Sequence, residues 1–92
     1  MAKVIIKVNV AYPGHFVKTL ETQAAARSKA GERGFTTAVD ASTHNLAYAI
    51  CDWNSVLSAR AFWDSPEAKV QMADWKSVVP AAITVLRENP ED

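Results

Sequence analysis

The sequence predicts an α+β fold in which one antiparallel sheet of four strands carries its helices on a single face. Three observations lead there: a two-residue alternation of apolar side chains near the N-terminus, helical spacing after Pro13 and again after Trp53, and two β-rich runs joined by a short polar turn.

The run "KVIIKVNV" (residues 3–10) sets Val4, Ile6, Val8 and Val10 on one face and Lys3, Ile5, Lys7 and Asn9 on the other, the signature of a strand. Pro13 is tolerated at a first helical position, and Phe16, Val17, Leu20 and Ala24 follow at helical spacing, so a helix is predicted from Pro13 until Gly31 and Gly34 stop it. "FTTAVDA" (35–41) and "NLAYAICDW" (45–53), separated by "STH", read as a hairpin. Helical signal returns at Asn54 or Ser55 and breaks at "SPE", where Ser65 can cap and Pro66 can start a new helix. It then continues to about Val78. Pro80 ends it, "AAITVLRE" supplies a fourth strand, and "NPED" reads as a loose tail.

The order β-α-β-β-α-β is the ferredoxin-like arrangement, with both helical segments on one side of the sheet. The other side then shows Ile5 and alternate apolar residues of the later strands, more apolar surface than a soluble monomer usually exposes. A second copy packed sheet against sheet would cover it, so a homodimer is expected.

With 92 residues the chain has material for one core, so residues 1–92 are expected to form one domain. An apolar fraction of 49% with 22% charged residues argues against disorder. Ten basic and ten acidic residues cancel, so no net field favours nucleic acid or anionic lipid. The N-terminus is too short and polar for a membrane span or signal peptide, and the lone Cys51 can close no internal disulfide; both suggest the cytoplasm.

Chemistry is carried by few residues. His15 follows Pro13 and Gly14 at a helix start, where the dipole disfavours the imidazolium and leaves a neutral ring able to accept a proton. Trp53, Phe62, Trp63 and Trp75 could line a cavity for a planar ligand, although aromatics at helical spacing more often build core. Asp52 is read as a helix N-terminal partner in preference to a carboxylate with a raised pKa. Arg27 and Arg60 either steady an anionic substrate or stand on solvated faces, His44 lies in a turn, and Cys51 reads as a buried inert thiol. No metal-ligand spacing and no phosphate-binding glycine loop is present, so neither a metal nor a nucleotide cofactor is expected.

The stretch "ICDWNSVLSARAFWDSPEAKVQM", a strand ending in Trp, a short helix with Phe and a second helical run after "SPE", resembles the dimeric α/β-barrel superfamily. That group includes antibiotic-biosynthesis monooxygenases, heme-degrading monooxygenases and muconolactone isomerases. The resemblance implies a pocket between sheet and helices, often working without metal or organic cofactor, and a small aromatic or polyketide-like ligand. It makes Asn9 the candidate for a catalytic strand-one Asn, and Phe62 or Trp63 the candidate for a helical Trp. Met72 stands where the heme-degrading branch carries an iron-binding His; a thioether can ligate heme iron, but it removes the axial imidazole which that branch uses, and this argues against heme degradation. The expected function is a small-molecule-binding homodimer of the cofactor-independent monooxygenase type. A noncatalytic stress-related or ligand-sensing dimer and an isomerase of the muconolactone type are the alternatives.

Overall fold

A computed structural model describes residues 1–88; the "NPED" tail, expected to be loose, lies outside them. Its elements are β1 (Ala2–Asn9), α1 (Pro13–Thr22), α2 (Ala24–Ala30), β2 (Glu32–Val39), β3 (Leu46–Trp53), α3 (Val56–Trp63), α4 (Pro66–Asp74) and β4 (Ala82–Arg87). The strands form one sheet in the order β2-β3-β1-β4, every neighbouring pair antiparallel. This is the predicted ferredoxin-like arrangement, with each helical segment divided into two short helices.

Alternation decides which face is covered. Val4, Ile6 and Val8 of β1 are buried together with Ala47, Ala49, Cys51 and Trp53 of β3, and Phe16, Leu20, Ala59, Phe62 and Ala68 close over them from the helices. Since successive strand residues point to opposite faces, Ile5 then stands on the helix-free side, opposite Ile50 on one neighbour and Thr84 on the other.

The departures from expectation occur at Gln23, Gly34 and Lys76. The first helix is interrupted at Gln23, whose carbonyl accepts from Gln71 Nε2 (3.5 Å) while its own side-chain amide donates to the Gln71 carbonyl (3.1 Å). Of the two glycines expected to stop this region, only Gly31 does so, with φ 129° and its N–H on the Arg27 carbonyl. Gly34 instead lies inside β2 at a bulge, which is why that strand begins at Glu32 and not at Phe35. Ser65 caps α4 as expected, accepting from the Ala68 N–H at 3.3 Å, with Pro66 next in the chain. The helix ends at Asp74 instead of near Val78, because Lys76 enters the left-handed region at φ 55°. No helix among the described residues is long and apolar enough to cross a membrane.

Candidate functional site

Where β1 ends, the chain turns through residues 10–12 into α1, and the far end of α4 comes to meet it. Tyr12 is extended and largely exposed, and Pro13 fixes the first helical residue. One turn into the helix, His15 Nε2 lies 2.9 Å from the Asp74 carbonyl, and Thr19 Oγ1 lies 3.4 Å from the same nitrogen. A carbonyl only accepts, so Nε2 carries the hydrogen, and in the neutral ring Nδ1 holds the free lone pair. Trp75 is fully buried beside it: its indole N–H donates to Gln23 Oε1 at 2.9 Å, and its ring meets Phe16 edge to face at 5.4 Å. Between these groups lies a cleft of about 370 Å³ lined by Val10, Ala11, Tyr12, His15, Trp75 and Lys76. A second cleft of about 550 Å³ shares Lys76 and runs along Lys69, Met72 and residues 77–81.

The other candidates fall in different places. Asn9 is exposed on the helix-free face, so its amide stands apart from His15, Phe62 and Trp63. Only its backbone carbonyl reaches the cleft region, accepting from the Val78 N–H at 2.7 Å and from Ser77 Oγ at 3.2 Å. Trp53, Phe62 and Trp63 pack on one another with centroids 5.0 to 6.5 Å apart, and Trp63 continues to Trp75 at 5.9 Å. Those rings fill space as core; the indole N–H groups of Trp53 and Trp63 are buried without a hydrogen-bond partner. Met72 is half-buried and lines the larger cleft.

Asp52 does not start a helix. It pairs with Lys3 across the helix-free face at 2.5 Å, a hydrogen bond that raises the lysine pKa, and the cap of α3 is Ser55. Arg27 is wholly enclosed and holds Glu32 at 2.9 Å, so it is no handle for a substrate. Arg60 is exposed beside Met1 and Leu57, and His44 is exposed in the β2–β3 turn. Burial, and after it the neighbouring Glu32 carboxylate, push the Cys51 thiol well above its ordinary range, which removes it as a nucleophile at neutral pH. Among the described residues no group of three or more His, Cys, Asp or Glu is gathered to hold a metal ion.

Tyr12 and Lys76 are the polar residues of the smaller cleft that the sequence reading does not single out. Tyr12 carries a signal, since the residue before a proline is held extended and sits at a helix entrance. Lys76 carries none, because helical periodicity runs on past it.

No family model and no curated protein sequence matches the chain. Solved structures do. The chain is similar to a candidate antibiotic biosynthesis monooxygenase from Bordetella bronchiseptica, with TM-score 0.80, 13% identity and 96% of each chain covered. It is also similar to SnoaB, a cofactor-independent oxygenase from Streptomyces nogalater, with TM-score 0.70, 15% identity, and 99% of this chain and 97% of that one covered. A third similar structure is Rv0793 from Mycobacterium tuberculosis, with TM-score 0.66, 17% identity, and 97% and 96% covered. At these identities the shared property is the fold.

Proposed function

We propose that the protein is a homodimer whose protomers each bind a planar aromatic or polyketide-like compound in the His15–Trp75 cleft and oxidise it with dioxygen, without a cofactor. The observation that carries this reading is the meeting of an oriented imidazole with an indole over an apolar cleft. A likeness of fold to an oxygenase described as cofactor-independent supports the reaction class.

In this reading the Asp74 carbonyl fixes the His15 tautomer, and Nδ1 accepts a proton from an acidic C–H or O–H of the bound compound. The resulting enolate is electron-rich enough to reduce dioxygen. For a ring methylene the balance is CH2 plus O2 giving C=O plus H2O. Met72 contributes apolar surface to the larger cleft and Trp75 backs the smaller one from the core, whereas Trp53, Phe62 and Trp63 keep the wall rigid. Asn9 contributes through its carbonyl, which anchors residues 77 and 78.

Anthrone is a suitable probe, being planar with one acidic methylene. The expected result is oxygen uptake with anthraquinone formation, falling roughly a hundredfold in His15→Ala, the usual loss for a general base. Equal rates in the two proteins would contradict the role of His15. The packed aromatic core favours one other reading, a noncatalytic ligand-binding dimer, for which anthrone binds without turnover above background.

A further inference from the structure

Lys76 stands just beyond the cap of α4 with φ 55°, and it is the single non-glycine residue with positive φ among the described residues. A helix that ends this way usually carries glycine or asparagine there, because a Cβ is crowded in the left-handed region. The surroundings hold the lysine in place. Its N–H faces the Ala73 carbonyl at 3.4 Å, and the next two residues are tied to the Asn9 carbonyl at the end of β1. A strained residue fixed by its neighbours at a cleft is a reason to look for function.

Lys76 lines both clefts, and Lys69 joins it in the larger one. Among the described residues that line the two clefts there is no carboxylate, so their cationic groups meet apolar walls and no acidic counter-charge. That surface is complementary to a flat apolar body bearing a negative group. Resting on the reading of the His15–Trp75 cleft as the ligand site, we infer that Lys76 determines specificity there and that the ligand is an aromatic carboxylate. The lysine is kept at a position where glycine would be more comfortable because its ammonium meets the carboxylate.

The test is calorimetric titration of the full chain with 2-naphthoate and with its neutral isostere 2-naphthamide, neither of which needs turnover. The natural protein is expected to bind naphthoate roughly fivefold more tightly, the size of one partly solvated charge pair, and added salt should narrow the gap. Lys76→Gly should abolish the preference while raising the thermal midpoint, since the backbone strain is relieved. Lys76→Gln keeps the strained backbone, and should lose the preference with the midpoint unchanged; it carries the test if the glycine variant misfolds. Equal binding of the two compounds, or a preference that survives both Lys76 variants, overturns the inference and leaves the cleft as a ligand site. Failure of both compounds to bind overturns the cleft reading and the inference with it.

Discussion

Arg27 shows how a single residue can be legible as a charge and illegible as a role. From sequence it stands on a helix face, as a substrate handle or a solvated cation. In the fold its guanidinium donates to Glu32, to the Leu20 carbonyl at 3.0 Å and to Gln71 Oε1 at 3.4 Å, with the Phe35 ring 5.0 Å away. No local pattern announces a buried pair whose partner is five residues on and whose other contacts come from α1, β2 and α4. Glu32 also faces Cys51, and there a pH dependence follows. The native thiol keeps its proton well above the ordinary thiol pKa because of burial and then Glu32. The unfolded thiol loses its proton near pH 8.5, so above that pH the unfolded state binds fewer protons than the native one, and stability falls as pH rises. Below about pH 8 the contribution is flat. Urea unfolding at pH 7 and pH 10 should therefore show a larger loss in the natural protein than in Cys51→Ala, and equal losses would contradict the assignment. The same argument predicts that iodoacetamide labels Cys51 only when the protein opens.

Elements were read more successfully than residues, because periodicity and caps act over short distances. Alternation in "KVIIKVNV" settled β1 to within one residue at each end, and Ser65 with Pro66 placed the start of α4. The exceptions are a glycine, a glutamine and the lysine beyond α4. Gly31 and Gly34 look alike in sequence, yet the first closes α2 and the second sits in a bulge, a difference set by the pairing of β2 with β3. At Gly31 a Cβ would lie 2.7 Å from Asn54 Oδ1 and 2.9 Å from Ser58 Oγ, on a backbone at φ 129°. Gly31→Ala should therefore cost about 1–3 kcal/mol from the backbone alone. Gly14→Ala makes the contrasting case: nothing lies within 4 Å of the added Cβ, and the residue is helical, so about 0.5–1 kcal/mol of stabilisation is expected. Chemical denaturation of the two variants checks both signs. A neutral Gly31→Ala would show that the α2–β2 junction can relax.

The whole molecule has one covered sheet face and one bare one, and the bare face explains the expectation of a pair. Ile5 and Ile50 are direct neighbours across β1 and β3, Leu86 is exposed on β4, and the Lys3–Asp52 ion pair sits among them. Sedimentation at micromolar concentration should give twice the 10.0 kDa chain mass, and Ile50→Lys should give the single-chain mass with the fold intact. The division into a covered and a bare face is legible in the sequence because it needs only strand order and alternation. The candidate site is legible in part: the sequence marks His15 and Trp75, but their meeting depends on how the end of α4 folds back on β1, and the lysine beside them breaks a pattern instead of following one. The position of Asn9 opposite the covered face follows from alternation alone, whereas the mutual packing of Trp53, Phe62 and Trp63 is a property of three dimensions. The most direct test of the account is heteronuclear NMR of the full chain titrated with 2-naphthol, a planar phenol. Saturable shifts at residues 10–15, at the Trp75 indole and at Lys76, with Ile5 and Ile50 unmoved, are the predicted result. Shifts centred on the outer sheet face, or none at all, would contradict it.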